Sequence, residues 1–235
     1  MRNLAVIPAR GGSKRLPRKN VLLFHGKPIL IWTAEAARDS GLFARVIVST
    51  EDAEIAEVST QHGFEVLPRP DYLATDAATC AQVCLHVLDE LETQGEIFDA
   101  LCCLYATAPL RGADDIAGVM RLLGDGAANV ADFAFAVTGY ANSPYQMLIP
   151  DAAGFLVPAW PLAAFQKSQA LPCPCIGNGS TYAARAPAFK TYKDFYGPRL
   201  RGYGMPRMRS IDIDTAEDFE MALWAADWLQ RGEKQ

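Results

Sequence analysis

Histidine is scarce in this chain, and its three copies, His25, His62 and His86, lie far apart. No serine or cysteine stands in a recognisable nucleophile motif, which disfavours acyl transfer through a triad. The six cysteines, Cys80, Cys84, Cys102, Cys103, Cys173 and Cys175, form no CxxC pair. With so little histidine to accompany them, a zinc site is disfavoured and buried reduced thiols are expected. No apolar run approaches the length of a bilayer span and nothing after Met1 reads as a signal peptide, so a cytoplasmic protein outside the membrane is expected. GxxxxGK[ST] is absent, as is GxGxxG, which removes the Walker A and dinucleotide-binding fingerprints. Acid is missing locally: residues 1–34 hold Arg2, Arg10, Lys14, Arg15, Arg18, Lys19 and Lys27, while all 27 Asp and Glu lie further on. A short cationic segment on a chain of net charge −5 suits a small anionic ligand better than a nucleic-acid backbone.

What is present is a 235-residue chain, half of it apolar, enough for one sizeable core and a single domain over residues 1–235. Strand-like and helix-like segments alternate. Asn3–Ile7, Arg45–Val48, Glu65–Leu67, Ala100–Tyr105 and Asp132–Val137 read as strands. Pro28–Arg38, Glu54–His62, Thr79–Glu92 and Asp114–Leu123 read as helices between them. Such alternation with continuous apolar strands predicts an α/β fold, a mostly parallel sheet with helices on both faces. Ser180–Ala184 and Ser210–Asp214 read as two further strands, and Ala216–Leu229 as a closing helix. Residues 141–176 break the rhythm with six prolines and with Tyr145, Phe155, Trp160 and Phe165, which fits an inserted arm packing on a partner subunit or a long surface loop.

Two segments carry the chemistry. Pro8-Ala-Arg-Gly-Gly-Ser-Lys-Arg-Leu-Pro-Arg-Lys-Asn20 leaves the carboxyl end of the first strand, where open α/β sheets bind ligands. Gly11 and Gly12 let backbone N–H groups approach an anion, and Arg10, Lys14 and Lys19 have the charge to neutralise a triphosphate. The second is Asp212-Ile-Asp214. On a strand these carboxylates face one side, and hard oxygens at that spacing suit Mg²⁺ bridging to phosphates. Against this stands a local role: Asp214 or Thr215 capping the last helix, with Glu217 or Asp218 closing a capping box.

The loop from Pro8 to Asn20 resembles that of the CMP-sialic acid synthetases (acylneuraminate cytidylyltransferases). Ile47-Val-Ser-Thr-Glu-Asp52, Leu67-Pro-Arg-Pro70, Leu73-Ala-Thr-Asp76, Ala108-Pro-Leu-Arg111, Asn178-Gly-Ser-Thr-Tyr182 and Ser210-Ile-Asp-Ile-Asp-Thr215 follow in the family's order. The resemblance implies a Rossmann-like nucleotidyltransferase fold, a homodimer with 141–176 as the dimerisation arm, and CTP and an acidic nine-carbon sugar as substrates. It implies CTP contacts from Arg10, Gly11, Ser13, Lys14, Lys19, Asn20, Arg69 and Thr79, and Mg²⁺ on Asp212 and Asp214. Arg10, Lys14, Lys19, Asp212 and Asp214 would carry catalysis, and Tyr105, Asn178, Tyr182, Phe195 and Tyr196 would line the sugar pocket.

Departures concern the sugar. Sialic acid enzymes carry glutamine at the place of Tyr105, and Leu104-Tyr-Ala-Thr-Ala-Pro109 resembles the pseudaminic acid branch. Asn178-Gly179 is instead like the sialic acid enzymes, and Lys167-Ser168 stands where an arginine is expected before Leu171. Two rival readings are a related sugar nucleotidyltransferase, such as one for 3-deoxy-manno-octulosonate, and a nucleotide-sensing module without turnover.

Overall fold

The computed structural model describes residues 1–124 and 130–232. Strand β1 (Asn3–Pro8) lies in the middle of a seven-stranded sheet. A loop and a small hairpin, β2 (Leu23–Phe24) with β3 (Lys27–Pro28), lead into helix α1 (Ile29–Asp39). Then follow β4 (Phe43–Thr50), α2 (Ala53–Gln61), β5 (Glu65–Pro68), α3 (Cys80–Thr93), β6 (Ala100–Leu104), α4 (Ala113–Leu122) and β7 (Phe133–Gly139). The inserted segment carries β8 (Leu148–Pro150), β9 (Leu156–Pro158) and the short helix α5 (Pro161–Ala164). The chain closes with β10 (Cys175–Arg185), α6 (Ala186–Tyr192), β11 (Leu200–Gly204) and α7 (Ala216–Gly232).

The sheet order is β11-β7-β10-β6-β1-β4-β5. Every neighbouring pair is parallel except β10 with β6 and β10 with β7, so one reversed strand sits inside a parallel sheet. Period-two alternation divides the core. Ala5 and Ile7 of β1 pack with Leu30, Ile31 and Ala34 of α1 and Ile116 and Val119 of α4. Leu4 and Val6 pack on the other face with Val87 and Leu88 of α3 and Phe189 of α6. Fully burying each such aliphatic side chain contributes about 1.5–3 kcal/mol, which is why the strands are apolar on both faces. A third cluster joins Phe24 and Ile29 to Ile213, Ala222 and Ala226, fixing α7 against the hairpin.

The expected mostly parallel, two-faced sheet is therefore what the chain adopts. One expected strand is not. Ser210–Asp214 forms no ladder: it follows a turn at Arg207–Arg209, and its backbone tie beyond that turn is Ile213 N–H to Thr107 O at 2.9 Å. Ile213 is fully buried and its two aspartate neighbours are not, so the alternation came from an extended, unpaired segment. The six cysteines are all free thiols, but only Cys84, Cys102 and Cys103 are buried; Cys80 is half-buried, and Cys173 and Cys175 are exposed on the inserted segment and the start of β10, against the expected burial. Among the described residues no helix is long and apolar enough to cross a membrane.

Candidate active site

Strands β1, β4 and β6 end on the same edge of the sheet, and a cavity of about 510 Å³ opens there. Arg10, Ser13, Lys14, Lys19, Asn20, Arg69, Thr79, Tyr105, Asp212 and Asp214 all line it. Gly11 does not. Its N–H donates to Glu51 Oε1 at 2.8 Å, and a Cβ there would stand 2.1 Å from Asp52 Oδ2, so glycine is needed for loop packing and its amide faces away from the cavity.

The supporting contacts explain how the loop is held. Asn20, almost fully buried, donates its side-chain amide to Arg10 O at 2.9 Å. Arg18 sits at φ 57° and forms a fork onto Asp52, the N-cap of α2, at 2.6 and 2.9 Å. That fork holds the Asp52 carboxyl below its usual range despite partial burial. Arg69 is buried, donates to Ser49 O at 2.7 Å and has Glu51 at 3.8 Å; burial pushes its guanidinium down. Thr79 accepts from Gln82 N–H and Gln82 answers the Thr79 N–H, a capping box that starts α3 at the cavity wall.

The two aspartates differ. Asp212 Oδ1 accepts from Thr107 Oγ1 at 2.5 Å, and burial, with the Asp214 charge adding to it, pushes its carboxyl up to about 6. Asp214 accepts from Lys19 at 2.7 Å and Arg15 at 2.6 Å; these outweigh its own partial burial and leave its carboxyl below the usual range. Neither caps α7. Thr215 Oγ1 accepts from Asp218 N–H at 3.2 Å while Asp218 accepts from Thr215 N–H at 2.8 Å, so a complete capping box leaves Asp214 free to face the cavity.

Of the five residues expected to line a sugar pocket, Asn178, Tyr182, Phe195 and Tyr196 do not line this cavity; Tyr105 does, and links it to a second group of side chains. Its ring centroid lies 5.2 Å from that of Tyr182, which lies 5.3 Å from Phe135 and 5.9 Å from Phe195; Phe135 in turn lies 5.1 Å from Tyr196. Burial raises both tyrosine hydroxyls, that of Tyr182 to about 12, so both stay protonated donors. Asn178 is buried; its amide nitrogen donates to Ser210 Oγ at 3.0 Å and its Oδ1 accepts from Ser180 Oγ at 2.7 Å, so both ends of the amide are engaged within the protein. It ties the start of β10 to the Asp212 segment. The β10–β7 register slips between Gly177 and Tyr182, and in that bulge Gly179 adopts φ +70°. A Cβ on Gly179 would lie 2.7 Å from Asp212 Oδ2, so the close approach requires glycine.

Residue types alone did not point to Thr107, Phe135 or Asp76. Thr107 stands in an Ala-Thr-Ala-Pro turn that reads as ordinary loop chemistry, and Phe135 in an unbroken apolar strand. Asp76 lies within Leu73-Ala-Thr-Asp76, a stretch marked only by its resemblance, and here it accepts from Arg10 at 2.6 Å and Lys14 at 2.5 Å.

A cation-rich loop at the carboxyl edge of a mostly parallel sheet, with Asp212 and Asp214 lining the same nucleotide-sized cavity, defines a nucleotidyltransferase of Rossmann-like fold. Residues 4–145 match the family model described as cytidylyltransferase, and the chain belongs to that family. It is 33% identical over 94% of its length to a pseudaminic acid cytidylyltransferase of Campylobacter jejuni, covering 95% of that protein. It is 32% identical to a CMP-N,N'-diacetyllegionaminic acid synthase of Legionella pneumophila, covering 94% of each chain. An N-acylneuraminate cytidylyltransferase of Escherichia coli is 31% identical over 94% of this chain and 51% of its own length. Among solved structures, a CMP:2-keto-3-deoxy-manno-octonic acid synthetase complexed with CTP superposes with a TM-score of 0.70 over 97% of this chain, at 18% identity. That likeness is one of fold.

Proposed function

We propose that the protein transfers the cytidylyl group of CTP to the anomeric hydroxyl of an acidic nine-carbon sugar and releases pyrophosphate. The observation that carries this is the joining of two surfaces at Tyr105: a cavity whose lining combines Arg10, Lys14 and Lys19 with Asp212 and Asp214, and an aromatic group beside it. The relatives' names, pseudaminic, legionaminic and N-acylneuraminic, support an acidic nonulosonic sugar as acceptor.

In this reading Arg10, Lys14 and Lys19 offset the charge of the triphosphate and of the leaving pyrophosphate. Arg69, Asn20 and Thr79 hold the loop and the helix start that receive the nucleotide. Tyr105, Tyr182 and Tyr196 receive the sugar, with the buried Phe195 and the additional Phe135 packed behind Tyr182. The oxygen set fits Mg²⁺: Asp212 is a part-buried carboxylate with one hydroxyl donor and a like charge nearby, the environment a hard cation relieves. Asp212 and Asp214 would hold the ion, which when bound supplies charge stabilisation at the α-phosphate. Thr107 fixes the Asp212 carboxylate, and Lys19 and Arg15 orient Asp214.

The arm is assigned to a second copy of the chain. Phe155, Leu156, Leu162 and Phe165 are 72%, 66%, 91% and 88% exposed, four large apolar side chains within one short stretch that a partner surface would cover. Light scattering at micromolar concentration is expected to give a dimer; a monomer counts against the assignment.

The central experiment is pyrophosphate release from CTP, ATP, GTP and UTP with pseudaminic, legionaminic and sialic acids and 3-deoxy-manno-octulosonate. CTP with a nonulosonic acid is expected to be strongly preferred. Equal release from ATP would remove the cytidylyl assignment. Preference for the octulosonate would move it to the rival sugar, and binding without turnover would favour a sensor.

A further inference from the structure

We propose that Asp76 is a built-in competitor for the phosphate-binding cations, a carboxylate that holds Arg10 and Lys14 until a polyphosphate displaces it. The inference rests on the nucleotide reading of the cavity. Arg10 and Lys14 come from the loop after β1, and Asp76 from residues 71–78 on the opposite wall. Each oxygen of Asp76 takes one cation, Oδ1 from Arg10 at 2.6 Å and Oδ2 from Lys14 at 2.5 Å, and neither cation has another carboxylate partner among the described residues. Lys14 first and Arg10 after it hold the Asp76 carboxyl below its usual range.

The rest of the 71–78 segment is only locally bonded. Its backbone bonds are Leu73 N–H to Pro70 O, Ala74 N–H to Asp71 O and Ala78 N–H to Thr75 O. Among the described residues the two ion pairs of Asp76 are the segment's polar ties to the remainder of the chain. The segment is also a partition. Leu73, Thr75 and Ala78 line the nucleotide cavity on one side and, on the other, a second cavity of about 520 Å³ with Gln82, His86 and Glu90 in its wall.

These facts have one physical consequence. A polyphosphate brings several negative charges to cations that hold a single exposed carboxylate, so it takes them over. Asp76 then faces like charge and its side chain leaves the loop, while the buried Leu73 keeps the segment seated between the two cavities. The carboxylate therefore opposes polyphosphate binding, and its removal tightens binding. Exposed ion pairs are individually weak, so removing two is expected to gain about 3- to 10-fold in affinity.

The test is isothermal titration of inorganic tripolyphosphate, and of CMP as control, into wild-type protein and Asp76→Asn at low and at high salt. Tripolyphosphate carries neither base nor sugar, so the comparison holds whatever nucleotide or acceptor the enzyme prefers. The expected result is tighter tripolyphosphate binding by Asp76→Asn, a gain that shrinks at high salt, and little change for CMP. Asp76→Glu, which keeps the charge, is expected to stay near wild type. Unchanged or weaker tripolyphosphate binding by a normally folded Asp76→Asn, checked by thermal unfolding, would overturn the proposal and make Asp76 a positioning residue or a bystander.

Discussion

The two ends of the cleft are built on opposite principles. At the charged end, proposed to receive the nucleotide, Arg10, Lys14, Arg15 and Lys19 are held by Asp76 and Asp214, and the buried Asn20 and Thr107 fix the loop backbone and the Asp212 carboxylate. At the aromatic end, proposed to receive the sugar, rings pack on one another with centroids 5.1–5.9 Å apart, and no charged side chain takes part in those contacts. Charge selects a phosphate chain and is sensitive to the loss of one unit. Stacked rings select shape and give way in smaller steps. One end should therefore fail abruptly and the other drift.

The largest break is expected from Asp212→Asn combined with Asp214→Asn. Losing preorganised electrostatic contacts at developing charge costs about 3–4 kcal/mol, or roughly two to three decades in turnover at saturating Mg²⁺. Since Thr215 and Asp218 cap α7, thermal unfolding should barely move. An active, equally stable double mutant would remove the metal site. A smaller effect is expected from Gly179→Ala. Its φ of +70° and the 2.7 Å approach to Asp212 make any Cβ costly. Left-handed backbone costs a non-glycine residue about 1–2 kcal/mol. Displacement of Asp212 should lower turnover about tenfold with little change in sugar KM, by analogy with other small misplacements. Wild-type kinetics in that variant would dissociate the bulge from the carboxylate. The smallest effect belongs to Tyr105→Gln. An aromatic contact is worth about 0.5–1.5 kcal/mol, so sugar KM should change roughly 2- to 10-fold while CTP KM holds. A larger shift in CTP than in sugar would mean that Tyr105 belongs to the nucleotide end.

Local pattern made most of the sheet legible. The buried run of β1, the apolar β6 and the amphipathic α3 each carry their period in their own residues. The edge strand β11 does not: Leu200-Arg-Gly-Tyr-Gly204 has two glycines and only partial burial, and its strand character comes from pairing with β7. Ser210–Asp214 misleads in the reverse direction, with a strand's alternation and no partner. The site follows the same division. Cations in the first loop and the aspartate pair announce themselves by type and spacing. Phe135, Thr107 and Asp76 matter because of what the fold sets beside them, and nothing local encodes a neighbour about a hundred residues away, as Thr107 is from Asp212.

The reversed strand β10 also bears on how the molecule comes together. β6 and β7 are not neighbours; β10 fills the space between them, and it follows the whole inserted arm in the chain. A nascent chain that has emerged only to residue 145 has an open slot in the middle of its sheet, with β7 lacking both of its ladder partners. The portion that matches the family model, residues 4–145, therefore lacks the strand that joins β6 to β7 and is expected not to close its sheet alone. Closure waits for long-range pairing, the slow kind, and the final strands act as the keystone of an arch begun at the amino terminus.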